Sequence, residues 1–322
     1  TQTVTPEGEG QTGEELPDGG LVFELASNGE SYAVTDYSGT STEVVIPSVH
    51  EGLPVTSIEH NAFSGHSDLT AITIPDSVTG IYPRVFIYCT NIKTANIPTH
   101  AIDDIPQDSL QTVTLTGEGA IEDSAFRECA TLTTVTINDD VSKIGSSAFY
   151  RCDNLTSVSI GNGVTSIGWG AFDNCSKLTS VTIGNGVTSI GDRAFFWCHD
   201  LTTVTIGEGV KSIGEDAFLD CESLTSITLP DRVESIGDSA FSECSGLTSI
   251  AIPNSVTHIG SYAFSGCTAE IVWGDDPEIT TIGNYAFCGY DGTSISIPDG
   301  VTSIEAGAFS DCHDFTSIVI PD

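Results

Sequence analysis

Seven cysteines stand 23 residues apart, at Cys129, Cys152, Cys175, Cys198, Cys221, Cys244 and Cys267. Cysteine at fixed spacing can serve disulfides, a metal site or redox exchange, and each of these needs partners. Disulfide frameworks belong to small irregular domains that lack a hydrophobic core, whereas this 322-residue chain is 39% hydrophobic. If 23-residue units stack, cysteines of neighbouring units lie about 5 Å apart with parallel Cβ bonds, a poor disulfide geometry. A structural zinc site calls for close cysteine pairs, and no C-x-x-C occurs. His199 and His313 lie in Cys-His-Asp segments, but the adjacent cysteine belongs to the inward series. No metal or cofactor is expected, and the cysteines are read as free thiols packed as small hydrophobes.

Other chemistry is equally sparse. A hydrolase or transferase needs a nucleophile, a base and an orienting group in one pocket, while the seven histidines are scattered singly outside any catalytic motif. No enzyme activity and no catalytic residue are expected. Asp192, Glu215 and Asp238 recur at one offset with Asp216 beside them. Stacked carboxylates about 5 Å apart could recruit calcium, but a solvated acidic stripe is the simpler reading. The net charge of −36, from 45 acids against 9 bases, repels phosphate backbones and anionic lipid, so nucleic acid is excluded as a partner. No apolar run reaches the length of a membrane-spanning helix, so no membrane insertion is expected.

Aromatic residues supply the remaining candidates. Tyr150, Phe196 and Leu219 share the offset after a recurrent phenylalanine, Trp197 follows Phe196, and Trp169 stands at a preceding bend. Exposed aromatics stack on sugars or anchor proteins; folded inward, they extend a core. Both readings stay open, and Tyr150, Trp169, Phe196, Trp197 and Leu219 form the candidate binding patch.

The element that must position these residues is the repeat itself. In Leu178–Asp200, LTSVTIGNGVTSIGDRAFFWCHD, the apolar residues are Leu178, Val181, Ile183, Val187, Ile190, Ala194, Phe195 and Cys198. This spacing is not helical. Leu178 to Ile183 alternates with Ser and Thr and predicts a short strand with Val181 and Ile183 inward. Gly184 to Gly186 turn the chain, Val187 and Ile190 point back inside, and Ala194, Phe195 and Cys198 predict a short helical or 3₁₀ turn. Ser157 and Ser159, Ser180 and Thr182, Thr203 and Thr205, and Ser226 and Thr228 would carpet the outer strand face, chosen by strand preference. One unit cannot bury its own apolar side, so units must stack into a solenoid.

The units LTSITLPDRVESIGDSAFSECSG, LTSIAIPNSVTHIGSYAFSGCT and SISIPDGVTSIEAGAFSDCHD share L-T-x-[IV]-x-I, V-x-x-I-G and A-F-x-x-C. The pattern resembles the leucine-rich repeat and, more narrowly, the BspA-like or Treponema pallidum type of bacterial leucine-rich repeat, from about Tyr32 onward. The resemblance implies an α/β but mostly β right-handed superhelix of 23-residue coils, with short strands on the concave side and irregular, 3₁₀ or short helical turns on the convex side. It also implies a secreted or cell-surface adhesion module, without a cofactor, that attaches to host extracellular-matrix proteins or other bacterial surfaces. A glycan-binding module using the aromatics and an inert spacer for another domain are the alternatives.

Three regions follow. Residues 1–20, rich in Gly, Glu, Thr and Pro, predict a flexible tether; residues 21–66 predict an N-terminal cap and first coil, with Leu21 to Asp36 as a strand or hairpin; residues 67–322 predict the array. Within it, Ile92 to Ser109 lacks A-F-x-x-C and predicts a coil with a collapsed convex side. Tyr290 replaces the periodic cysteine while Cys288 falls out of phase, and the chain closes on an uncapped strand. With neither an initiator methionine nor a signal peptide, it is read as a mature segment.

Overall fold

The computed structural model describes residues 17–290, 292, 294–313 and 315–320. The repeat unit becomes one coil with three sides. In the unit from Leu178, Ser180–Thr182 is a strand with Val181 buried and its hydroxyl neighbours outward. It pairs in parallel on both sides at matching positions, Ser157 with Ser180 and Ser180 with Thr203. Repetition of that register builds an eleven-stranded parallel sheet from Glu43–Val45 to Glu270–Trp273 among the described residues. The Thr and Ser side chains lie on its outer face, as the alternation predicts.

The second side was not read as a strand. Ser189–Ile190 pairs with Ser166–Ile167 and Ser212–Ile213, and the described residues form a second, nine-stranded parallel sheet from Gly119–Ile121 to Ser303–Ile304. Most of its strands are only two residues long, too short for alternation to show.

The third side, Gly191 to Cys198, is neither α-helical nor 3₁₀. The N–H groups of Arg193, Phe195 and Trp197 donate to Glu215, Ala217 and Leu219 of the next coil at 2.7, 2.8 and 3.0 Å. Those of Ala194, Phe196 and Cys198 close tight turns on Gly191, Arg193 and Phe195 within the coil at 3.2–3.3 Å. A helix would turn every donor inward and leave neighbouring coils unbridged. Sending alternate donors along the axis requires alternate backbone hands, so Arg193 and Trp197 have φ of 56° and 58°. Apart from Glu51, every non-glycine residue of positive φ among the described residues stands two positions before or after the turn phenylalanine. None of them is β-branched, in keeping with the steric cost of that region.

Inside, the phenylalanines stack coil upon coil. From Phe126 through Phe149, Phe172, Phe195, Phe218, Phe241, Phe264 and Phe287 to Phe309, ring centroids are 5.0–5.5 Å apart and planes lie within 9° of parallel. Phe63 and Phe86 form a separate pair at 5.3 Å. The break falls at the short coil, where Thr99–Asp104 is a 3₁₀ helix with Ala101 and Ile102 buried. It fills the space that a second-sheet strand would occupy, so the nine-stranded sheet starts only after it. The first sheet runs through, with Thr94 paired to Thr112.

At the amino end, Leu21–Leu25 and Tyr32–Tyr37 form an antiparallel hairpin, and Tyr32–Tyr37 continues in parallel to Leu53–Ile58. Tyr37 covers Phe63 and His66, the residue at the cysteine position of the first coil, at 5.4 and 4.9 Å. The last four residues of the expected tether, Pro17–Gly20, form a 3₁₀ turn, and the Gly20 carbonyl accepts from Ser38 N at 2.8 Å. Gly20 has φ of 90°, and a Cβ there would stand 2.4 Å from Gly39. The rest of the expected tether, residues 1–16, lies outside the described residues. At the other end Ser317–Val319 pairs with Ser294–Ser296.

The left-handed positions give a direct test. Arg151, exposed at φ 54°, is expected to tolerate Arg151→Gly within about 0.5 kcal/mol, while Arg151→Val costs about 1–2 kcal/mol. Denaturant midpoints of the two variants measure the difference.

Candidate functional site

The cysteines point into the coil and bond to carbonyls, and more of them do so than the 23-residue count revealed. All ten are free, and the seven from Cys129 to Cys267 are buried. The Sγ–H of Cys152, Cys175, Cys198, Cys221 and Cys244 donates to the phenylalanine carbonyl of the preceding coil at 3.1–3.3 Å. The same carbonyl accepts the backbone N–H of its own coil's cysteine, Cys175 N to Phe172 O at 3.2 Å for example. Cys89 and Cys312 make the same bond, to Phe63 at 2.9 Å and Phe287 at 3.1 Å. They escaped the periodic reading because the short coil and the coil of Tyr290 break the phase. Tyr290 fills the cysteine position and is buried against Phe287 and Phe315 at 5.9 and 5.7 Å. Cys288 stands partly exposed, its Sγ 3.9 Å from Asp311 Oδ2.

Burial, the largest cause, pushes the thiols of Cys89, Cys129 and Cys267 up to about 11. These thiols stay protonated, donate to carbonyls and offer no nucleophile. The acidic stripe has a similar structural use. Asp192 Oδ1 accepts the N–H of Glu215 at 2.9 Å, and Asp238 Oδ1 that of Ser261 at 2.7 Å. At another corner Asp139 accepts from Asn162, Asn162 from Asn185 and Asn185 from Glu208, at 2.6, 2.9 and 3.0 Å. These side chains are rungs between coils. Among the described residues no group of three or more His, Cys, Asp or Glu side chains could hold a metal ion.

The aromatic candidates divide. Trp169 and Trp197 are 48% and 42% exposed, but Phe196 is only 8% exposed, its ring covered at the surface and outside the main hydrophobic core. The cause is Arg193, unremarked in the sequence, whose guanidinium lies 3.9 Å from the Phe196 ring centroid and 5.5 Å from that of Trp169. Arg193 Nη2 also reaches the buried carboxylate of Asp173 at 3.3 Å. Phe196 stacks on Trp197 at 4.9 Å, and Trp197 Nε1 donates to Asp220 Oδ2 at 2.7 Å. Trp169, Arg193, Phe196 and Trp197 thus form one cluster across two coils. Tyr150, half-buried, pairs instead with Arg127 at 4.4 Å, and half-buried Leu219 meets Trp197 through its carbonyl.

Backbone geometry explains why this position can vary. The carbonyls of Tyr150, Trp169, Phe196 and Leu219 each accept an N–H from the preceding coil at 2.7–3.0 Å. The main chain therefore holds each residue whatever its side chain. Electrostatics then separate the acids: burial raises the Asp173 carboxyl above the ordinary range, against the Arg193 charge that lowers it. Burial likewise raises Asp216, with Arg193 opposing and Asp192 adding to the effect.

Parallel strands at a fixed period, a phenylalanine stack and turns that carry the variable side chains define a leucine-rich repeat solenoid. The sequence profile of the BspA type leucine-rich repeat region matches in six copies, over residues 37–118, 107–225 and 211–322. The chain belongs to that family. Similar solved structures include a Treponema pallidum leucine-rich repeat protein, 24% identical with a TM-score of 0.39 over 73% of this chain and 91% of that one. A leucine-rich cell surface protein of Faecalibacterium prausnitzii is 26% identical with a TM-score of 0.40 over 94% and 87%. A leucine-rich repeat protein of Bacteroides ovatus is 22% identical with a TM-score of 0.46 over 94% and 87%. No curated protein sequence matches the chain.

Two outcomes follow. A thiol reagent at pH 8 is expected to modify Cys288 first in the native protein and to count all ten thiols after denaturation without reductant; fewer would reveal disulfides. Removing the Arg193 charge frees Asp173 to rise further. A raised carboxyl binds protons more readily in the folded state, so the stability linked to it is present at low pH and lost as pH rises through the native value. Arg193→Ala is therefore expected to cost about 1–3 kcal/mol at pH 7, allowing for the partial exposure of Arg193, and clearly less at pH 4. Urea midpoints at the two pH values check the sign.

Proposed function

We propose that this chain is a non-enzymatic binding module of the bacterial cell surface, which presents variable turn residues on an acidic solenoid to partner proteins. The observation that carries the reading is the exposure of two tryptophans on a main chain bridged to its neighbours on three sides. A large aromatic held in place contributes contact area with little further loss of conformational freedom on binding. The surface-protein character of the Faecalibacterium prausnitzii relative supports a position outside the cell. Among the described residues no helix is long and apolar enough to cross a membrane. Adhesion to host extracellular matrix or to another bacterial surface fits a long, strongly charged array.

The purified chain is expected to show saturable binding to at least one immobilised matrix protein or bacterial cell surface. A screen that includes glycan arrays distinguishes the readings: sugar binding alone would replace the protein partner, and no saturable binding on any surface would leave only a spacer.

A further inference from the structure

Trp169 and Trp197 sit in a strongly acidic neighbourhood, and the cluster already holds one cation. Arg193 lies over Phe196 and beside Trp169, with its fork on Asp173. Asp216 stands within electrostatic reach of both Arg193 and Asp192, and Asp220 stands at the Trp197 indole; Asp192 is exposed and the other two are half-buried. The acids outnumber the base. A ring quadrupole attracts ammonium and guanidinium groups on its face, with Trp the strongest of the aromatic side chains.

The indole of Trp197 has a further bias. Its N–H donates to the Asp220 carboxylate at 2.7 Å, and a charged acceptor on that proton pushes electron density into the ring. The exposed part of the ring, beside its stacks with Phe196 at 4.9 Å and His199 at 6.5 Å, becomes more attractive to a cation, and Asp220 adds its own charge at the rim. Such a site disfavours an acidic or phosphorylated partner through both ring and rim. The chain's net charge of −36 acts in the same direction at longer range, steering positive partners toward it.

We propose that Trp169 and Trp197, rimmed by Asp192, Asp216 and Asp220, dock an arginine- or lysine-bearing segment of a partner protein through cation–π contact. This rests on the reading of the chain as a protein-binding module and specifies the partner's chemistry and its place of contact. Arg193 serves as the built-in counterpart: it neutralises Asp173 beneath the surface and leaves the outer carboxylates to the incoming charge.

The test titrates the full chain with a twelve-residue peptide of alternating Arg and Gly, and with its Glu and Gly counterpart, by calorimetry. The Arg peptide is expected to bind and the Glu peptide not. The double variant W169A/W197A is expected to weaken the Arg peptide about tenfold, whereas W169F/W197F, which keeps aromatic faces, loses about threefold or less. D275N/D276N removes two remote charges and is expected to change binding less than about twofold. D220N, which keeps an acceptor for the indole N–H but no charge, is expected to lie between wild type and W169A/W197A.

Equal affinity in wild type and W169A/W197A, at matched melting temperature, would show diffuse charge attraction and overturn the docking site. So would tryptophan-dependent binding of a sugar without binding of the peptide. Matrix-protein binding that survives W169A/W197A would overturn this site while leaving the binding module intact. Absence of any protein binding would remove both.

Discussion

Every level of this molecule depends on the backbone hydrogen bond from one coil to its neighbour. It is made on all three sides: by the strands from Thr134–Ile137 to Ser249–Ile252, by the short Ser-Ile strands, and by alternate donors of the turn. The third set is the most demanding, because it forces non-glycine residues such as Trp197 and Asp220 into the left-handed region. From Ser124 to Tyr285 the cost is met because each left-handed non-glycine residue turns its N–H along the axis, where a carbonyl waits. Side chains then repeat the same logic. Asp192 and Asn162 accept donors of the next coil, and the cysteines satisfy phenylalanine carbonyls.

This arrangement decouples framework from surface. At Tyr150, Trp169, Phe196 and Leu219 the carbonyl is committed to the ladder and the side chain is not. Neighbouring coils can therefore place an indole, a phenyl ring or an aliphatic chain at related points of the turn without changing the path of the main chain. Arg193 shows how far this freedom extends. It closes over the ring of Phe196, which lies outside the main core, while Trp169 and Trp197 stay at the surface.

Much of the architecture was legible in the residues. The alternation in Leu178–Ile183 gave the first sheet its register and its hydroxyl face, and the inward placement of Val187, Ile190, Phe195 and Cys198 holds. The second sheet escaped because two residues cannot display a period of two. Of the irregular, 3₁₀ or short helical turns expected on the convex side, the structure has the irregular form. The donors, which go to another coil, leave no mark on one coil's apolar pattern. Periodicity likewise concealed Cys89 and Cys312, whose bonds match the ladder although their numbers do not. The exposed tryptophans were found from their offset. The Arg193 to Asp173 contact was not, since it joins two coils and has no counterpart in the repeat.

The short coil around Thr99–Asp104 divides the molecule in a manner the uniform repeat hides. There the phenylalanine stack breaks and the nine-stranded second sheet has not yet begun, and the first sheet alone carries ordered strand pairing across, through Thr94 and Thr112. Under tension along the axis, that seam would act as a mechanical fuse. Load borne in parallel by several ladders elsewhere converges here on fewer bonds, so under tension the smaller segment would yield as a unit. The longer segment, with Trp169 and Trp197, would keep its shape and whatever it holds.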